Sequence, residues 1–156
     1  MKAERIDPAS AAAGRLIALS DAYMEALYPA ESNHLESVQA LVEDNVMFLG
    51  CHLDDQLAAC GAVKILFDEL ALCSYGEIKR VFVPEEFRGK GLSKHIMQAL
   101  EDHLLANDVR IARLETGIRQ PEALGLYYRL GYAERGPFGD YQEDPLSVFM
   151  EKKLLA

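Results

Sequence analysis

The sequence lacks the features typical of a membrane protein, of a protein from an oxidising compartment and of a metal-binding protein. No apolar run approaches the ~20 residues of a transmembrane helix. The first residues contain no apolar signal core, so we expect a cytoplasmic protein without a membrane partner. The 3 cysteines form no Cys-x-x-Cys pair, which fits a reduced compartment. The 4 histidines lack zinc-ligand spacing, so we predict no metal.

Basic residues are fewer than acidic residues. The chain has 16 Lys and Arg against 25 Asp and Glu, a formal charge of −9, which argues against nucleic acid as a partner. The basic residues are nevertheless clustered, because 5 of the 16 lie between positions 79 and 94. This cluster indicates a local anionic ligand, with an ordinary solvated charged face as the alternative.

Length and composition are those of an ordinary globular protein. With 156 residues, 50% of them hydrophobic and 26% charged, we expect one domain over residues 1–156. No repeat, low-complexity segment or domain linker interrupts it.

The centre of the chain changes from strand to helix through two glycines. Residues 77–83 are apolar and β-branched, Pro84 ends the strand, and residues 94–100 have helical spacing. Gly89 and Gly91 allow backbone conformations that a Cβ would forbid. The unpaired N–H groups of the helix's first turn then converge with the positive end of the helix dipole. We therefore predict a phosphate site at this turn.

The spacing of these glycines fits neither a dinucleotide fingerprint nor a P-loop. The run Arg88-Gly-Lys-Gly-Leu-Ser93 instead resembles the Arg/Gln-x-x-Gly-x-Gly/Ala signature of the GNAT superfamily of N-acetyltransferases. That signature holds the pyrophosphate of acetyl-coenzyme A. Ser93 departs from it at the last position, where a small residue still permits close approach.

A second segment carries the same resemblance. Ala123-Leu-Gly-Leu-Tyr127-Tyr-Arg-Leu-Gly131-Tyr132 is similar to the family's Ala-x-x-Leu-Tyr-x-x-x-Gly-Phe segment, in which a helix carries a tyrosine towards the coenzyme sulfur. Both motifs occur in the family's order, over roughly the last half of the chain. The chain resembles uncharacterised small bacterial members of the superfamily.

The resemblance implies a GNAT fold of the α/β (α+β) class. We expect a twisted, mostly antiparallel mixed sheet of about six to seven strands, with a splayed parallel central pair and about four flanking helices. The residue pattern predicts strands at 2–7, 46–52, 57–67, 70–83, 111–116, 132–135 and 146–154. It predicts a first helix that begins at Pro8 and ends before Pro29, a short second helix capped by Asn33 and Glu36, and a helix from 94 to about 107.

The resemblance also implies catalytic roles. Tyr127 matches the general acid that protonates the departing thiolate, although the same residue type is common in a helix core. Glu77 matches a position from which some members draw a general base. Strict alternation would put Glu77, Lys79, Val81 and Val83 on one face, so Lys79 could instead hold Glu77 in a structural ion pair.

The remaining site residues are implied by their positions in the motifs. Those predicted to hold the coenzyme are Phe82, Val83, Arg88, Gly89, Lys90, Gly91, Leu92, Ser93, Lys94 and Gln120. Those predicted to contact the acceptor are Tyr28, Asn33, His34, Glu115 and Thr116, together with Ser32. The long linker at 136–145 is expected to border the acceptor site.

We therefore expect an acetyl-CoA-dependent N-acetyltransferase that acts on the primary amine of a small metabolite by direct attack on the thioester. Two alternatives remain: a non-catalytic acyl-CoA sensor, and an acetyltransferase of protein amines. A homodimer, the length of the acyl group and the charge of the acceptor are left open. Alternation predicts that Lys79 and Arg80 point to opposite faces, so that at most one reaches the cleft.

Overall fold

The structure, a computed structural model, describes residues 2–33 and 37–155. The strands are β1 (Ala3–Arg5), β2 (Val46–Leu53), β3 (Gln56–Asp68), β4 (Cys73–Phe82), β5 (Ile111–Gly117), β6 (Ala133–Arg135) and β7 (Ser147–Lys153). The helices are α1 (Ala11–Leu27), α2 (Val38–Leu41), α3 (Leu92–Ala106) and α4 (Pro121–Arg129), with short 3-10 helices at Ala30–Ser32 and Glu85–Phe87. In this described part of the chain, no helix has both the length and the apolar character needed to cross a membrane.

All seven strands lie in one sheet, in the order β1-β2-β3-β4-β5-β7-β6. The β4–β5 pair is parallel and its neighbours are antiparallel, which confirms the predicted fold class. The parallel pairing is short: it runs from Gly76 opposite Ala112 to Ile78 opposite Leu114. Both strands continue beyond it, β4 to Phe82 and β5 to Gly117. The two central strands therefore part towards their carboxyl ends and leave a gap in the sheet.

A helix covers each face of the sheet. On one face α3 buries the helical series Leu92, Ile96, Met97, Leu100 and Leu104, each at most 2% exposed. On the other face α1 packs through Ala13, Leu16 and Ile17. The spacing of these residues, three or four apart, makes each helix amphipathic, and burial of that apolar stripe fixes the helix to the sheet.

The first two helices begin later than predicted. α1 starts at Ala11 and not at Pro8, because the Ser10 side chain accepts a hydrogen bond from the Ala13 backbone N at 3.2 Å. α2 is capped in the same way by Ser37, whose side chain accepts from the Ala40 backbone N at 3.2 Å. In both cases a serine oxygen satisfies a free N–H of the first turn. The predicted capping pair of this helix was Asn33 and Glu36, and Glu36 lies outside the described residues.

A β-bulge at Arg80 makes the alternation prediction wrong. Arg80 has φ +57°, and the β3–β4 register shifts between Cys60 and Ala62. The extra residue turns Arg80 to the α1 face, where its side chain pairs with Asp21.

The residues after the bulge change faces. Val81 lies beside Gly61 under α3, and Val83 belongs to the core cluster on that same face. Lys79 and Arg80 therefore share the α1 face, and both line the cleft described next.

Candidate functional site

A cleft of about 90 Å³ opens between the parted strands. Glu77, Lys79 and Arg80 of β4 form one wall, and Glu115 and Thr116 of β5 form the other. The cleft is also lined by Ser20 and Met24 of α1, by Gln120 and Tyr127 near and on α4, and by Tyr141 of the β6–β7 loop. The gap in the sheet is thus lined by titratable side chains. Among the described residues no group of three or more His, Cys, Asp or Glu side chains could hold a metal ion.

The glycine turn has the form expected of an anion site. Gly89 and Gly91 have φ +81° and +75°, the left-handed region that favours glycine, and a Cβ at either position would find no atom within 4 Å. The first bond of α3 runs from His95 N to Gly91 O at 3.2 Å, so the earlier N–H groups of this turn lack an intrahelical acceptor. No acidic residue lies in this first turn. A pyrophosphate fits this arrangement.

The residues predicted to bind the coenzyme divide into several groups. Lys90 and Lys94 are exposed beside the glycines, where their charge adds to that of the helix terminus. The Leu92 side chain is buried in the core, so this residue can offer a ligand only its backbone.

Arg88 points back along the chain. It donates to the Val83 carbonyl at 3.0 Å and lies over the Tyr23 ring at 5.4 Å. Gln120 lies apart from the turn, because it caps α4 and lines the cleft.

Tyr127 lies in the wall of the cleft and is 8% exposed. Burial raises the pKa of its phenol to about 12, and the negative charge of Glu115 acts in the same direction. Its ring meets Tyr132 edge to face, with centroids 6.0 Å apart, and Tyr132 is held by its own hydrogen bond to Glu101 at 2.8 Å. Tyr127 is therefore an oriented phenol that keeps its proton at neutral pH.

Glu77 is held by two partners. Its Oε2 lies 3.1 Å from Lys79 Nζ and accepts a hydrogen bond from the Tyr141 hydroxyl at 2.6 Å. Glu77 is 5% exposed, and a carboxylate so deeply placed needs such compensation. This geometry agrees with the ion-pair alternative that the sequence left open.

Glu115 faces the same cleft in a different environment. Its Oε2 accepts a hydrogen bond from Ser147 Oγ at 2.7 Å. Burial raises the pKa of the Glu115 carboxyl to about 7, and the negative charge of Glu77 raises it further while the Ser147 hydrogen bond lowers it. Glu115 can therefore take up and release a proton near neutral pH.

The predicted acceptor residues are only partly in the cleft. Thr116 lines it, together with Glu115. Tyr28 is buried against Gly117: its hydroxyl accepts from the Arg119 backbone N at 3.1 Å and donates to Gln120 Oε1 at 3.2 Å.

The remaining predicted residues belong to the segment after α1. Asn33 donates to the Tyr28 carbonyl at 3.3 Å, and Ser32 Oγ donates to Asp144 Oδ2 at 2.7 Å. His34 lies outside the described residues.

The sequence did not single out Tyr141 or Ser147, which contact the two cleft carboxylates. Tyr141 lies in the β6–β7 loop, and Ser147 is the first residue of β7 directly after that loop. The loop is anchored by Phe138 in an aromatic cluster with Tyr75 and Phe149. The unusual length of this loop was the one signal that pointed to it.

Comparison with known sequences shows the family of this chain. The sequence model of the acetyltransferase (GNAT) family matches residues 15–132. The IAA acetyltransferase of Azospirillum brasilense is 40% identical over 150 residues, which cover 96% of this chain and 95% of that protein. An uncharacterised N-acetyltransferase of Bacillus subtilis, YsnE, is 34% identical over 84% of this chain and 85% of its own length.

Solved structures share the fold. A Klebsiella pneumoniae protein assigned as an acyl-CoA N-acyltransferase superimposes with a TM-score of 0.79 at 36% identity, covering 99% of this chain and 97% of that chain. An aminoglycoside 6′-N-acetyltransferase solved with coenzyme A gives a TM-score of 0.76 at 13% identity, covering 100% of this chain and 98% of its own. The second likeness concerns the fold alone.

Proposed function

Because this chain belongs to the acetyltransferase (GNAT) family, we propose that it transfers the acetyl group of acetyl-coenzyme A to the primary amine of a small metabolite. The observation that carries the proposal is the pair Glu115 and Tyr127. Both line one cleft, and burial gives one a pKa of about 7 and the other a pKa of about 12. At neutral pH Glu115 can accept a proton and Tyr127 retains one. The cleft therefore holds both the general base and the general acid that acetyl transfer needs.

The coenzyme is assigned to the glycine turn and the strand before it. The free N–H groups around Gly89 and Gly91 would hold the pyrophosphate, with Lys90 and Lys94 beside it. The part of β4 beyond the parallel pairing, at Phe82 and Val83, would run along the pantetheine arm. A backbone N–H near Val83 would polarise the thioester carbonyl.

The reaction requires proton transfers at the amine and at the sulfur. An alkylamine titrates near ~10 and a thiol near ~8.5, so at neutral pH the amine must lose a proton and the leaving thiolate gains from receiving one. Glu115 takes one proton from the ammonium form, which leaves the neutral amine. The nitrogen–carbon bond forms, the carbon–sulfur bond breaks, and the Tyr127 hydroxyl gives its proton to the sulfur. The nitrogen then loses its second proton to the Tyr127 phenolate, which restores the phenol, and Glu115 returns its proton to solvent.

Glu115 suits the role of base better than Glu77. Lys79 and Tyr141 already occupy the Oε2 atom of Glu77. Glu115 has the neutral Ser147 hydroxyl as its hydrogen-bond partner. Glu77 remains the second candidate, and the substitutions given in the Discussion separate the two.

A free-thiol release assay with acetyl-coenzyme A tests the proposal over amino acids, polyamines, aminoglycosides and peptide N-termini. We expect thiol release with at least one small amine. Coenzyme binding without transfer to any amine would instead favour an acyl-CoA sensor. Turnover with peptides alone would favour a protein acetyltransferase.

A further inference from the structure

Four side-chain contacts join the elements around the acceptor side of the cleft, and we call them its perimeter. They join α1 to β4, β4 to the β6–β7 loop, that loop to the 3-10 helix after α1, and the end of α1 to the cap of α4. The contacts are Asp21–Arg80, Glu77–Tyr141, Ser32–Asp144 and Tyr28–Gln120. Each contact holds together two elements that line or flank the cleft.

The Ser32–Asp144 contact joins the two loops of this perimeter. Ser32 Oγ donates to Asp144 Oδ2 at 2.7 Å, and Ser32 is 8% exposed. The other carboxylate oxygen of Asp144 accepts from Leu146 N at 2.8 Å, so both oxygens are engaged. A hydrogen bond with a charged acceptor is stronger than a neutral one.

The same turn reaches the proposed base. Ser147 N donates to the Asp144 carbonyl at 3.0 Å, and Ser147 Oγ donates to Glu115 Oε2 at 2.7 Å. Ser32 and Glu115 are thus joined through Asp144 and Ser147. The contact between the two loops lies close to the carboxylate that would receive the amine's proton.

The cleft is small. Its volume of about 90 Å³ is well below the roughly 300–1,000 Å³ of pockets that hold drug-sized ligands. Such a space admits the end of an unbranched chain, whereas an amine with a branched or cyclic α-carbon needs a wider opening.

We propose that the Ser32–Asp144 contact is a specificity determinant, which restricts acceptors to slender primary amines that enter end-on. The inference rests on the proposed function and names the acceptor class for that site. Without this hydrogen bond the two loops are held together less firmly, and the mouth of the cleft can widen.

Ser32→Ala tests the inference, because it removes the donor and leaves a small side chain. Ser37→Ala is the matched control: it removes an equivalent serine hydroxyl that caps α2 and bonds to Ala40 N. Ser32→Thr retains a hydroxyl and should behave like the wild type.

The first readout is the ratio of kcat/KM for a peptide N-terminus to that for n-butylamine. We expect Ser32→Ala to raise this ratio by about two- to tenfold, the range that loss of one hydrogen bond produces. Ser37→Ala and Ser32→Thr should leave it unchanged. A Ser32→Ala ratio equal to that of the wild type would overturn the inference.

The second readout does not need turnover. Amide hydrogen exchange over residues 138–147 should accelerate in Ser32→Ala and stay at the wild-type rate in Ser37→Ala. If no amine is acetylated, the proposed function fails, and unchanged exchange in Ser32→Ala would then refute the contact as a restraint on the loop. The two failures are therefore distinguishable.

Discussion

The Tyr141 hydroxyl donates a hydrogen bond to Glu77 Oε2 at 2.6 Å, across 64 positions of the sequence. This bond joins the β6–β7 loop to the central strand β4. Lys79 approaches the same carboxylate oxygen at 3.1 Å. Glu77 is therefore held in the cleft by two partners, while Glu115 on the opposite wall has the Ser147 hydroxyl as its partner. The contrast between these two carboxylates leads to the first prediction.

Glu115→Gln should lower turnover by about 10²–10⁴-fold, the usual contribution of a general base. In the wild type kcat/KM should fall as the pH drops below about 7, because Glu115 with its raised pKa becomes protonated there. In a pH–rate profile, Glu115→Gln should lack this fall of kcat/KM at low pH, and Glu77→Gln should retain it. A fall that persists in Glu115→Gln but disappears in Glu77→Gln would assign the base to Glu77.

Tyr127→Phe removes the proposed acid and keeps the ring. Turnover should fall by about 10²–10⁴-fold while the affinity for the coenzyme changes little. Steady-state kinetics and calorimetry measure the two quantities. Tyr128→Phe is the control, because that neighbouring tyrosine is exposed and bonds to Glu134. Wild-type turnover in Tyr127→Phe would make Tyr127 a core residue only.

Gly91→Asp should abolish coenzyme binding. It adds a Cβ at φ +75° and a negative charge where the phosphates are expected. Gly136→Asp adds the same side chain at another open, exposed glycine and should bind normally. Titration calorimetry on the folded variants measures their affinity for the coenzyme. Unchanged affinity in Gly91→Asp would place the pyrophosphate elsewhere.

The raised pKa of Glu115 also predicts how stability depends on pH. The folded state holds this proton up to a pH of about 7, whereas the ordinary value is 4.5. Between these values the folded state binds more protons than the unfolded state, so the free energy of unfolding falls as the pH rises. Above about pH 7 the ionised carboxylate destabilises the fold by up to ~3 kcal/mol.

Glu115→Gln removes that penalty and keeps an acceptor for Ser147. Relative to the wild type it should gain stability at pH 8 and little at pH 4.5. Urea unfolding at both pH values measures the difference. An equal effect at the two pH values would show that Glu115 does not titrate in this window.

The resemblance to the GNAT superfamily predicted the fold class and the helix that carries Tyr127. The change from strand to helix at Gly89 and Gly91 was predicted from the residues themselves, because it depends on positions close together in the chain. The bulge at Arg80 could not be predicted, because it reflects the β3–β4 register and not the composition of β4. Its consequence, two basic side chains on one face, was missed for the same reason.

The acceptor side was the least predictable part. Tyr141 meets Glu77 over 64 positions, and Ser32 meets Asp144 over 112, so no local spacing encodes either contact. Tyr28 was predicted to contact the substrate because the resemblance places its loop at the acceptor side. The contacts of its hydroxyl with Arg119 N and Gln120 are likewise long-range, and no local spacing encodes them.

The most direct test of the proposed function is mass spectrometry of the products after incubation with isotopically labelled acetyl-coenzyme A and a reactive small amine. The account predicts one labelled acetyl group on the primary amine nitrogen for each thiol released, and a large loss of this product in Glu115→Gln. Thiol release without any acetylated amine, or a label found on oxygen or on the protein itself, would contradict it.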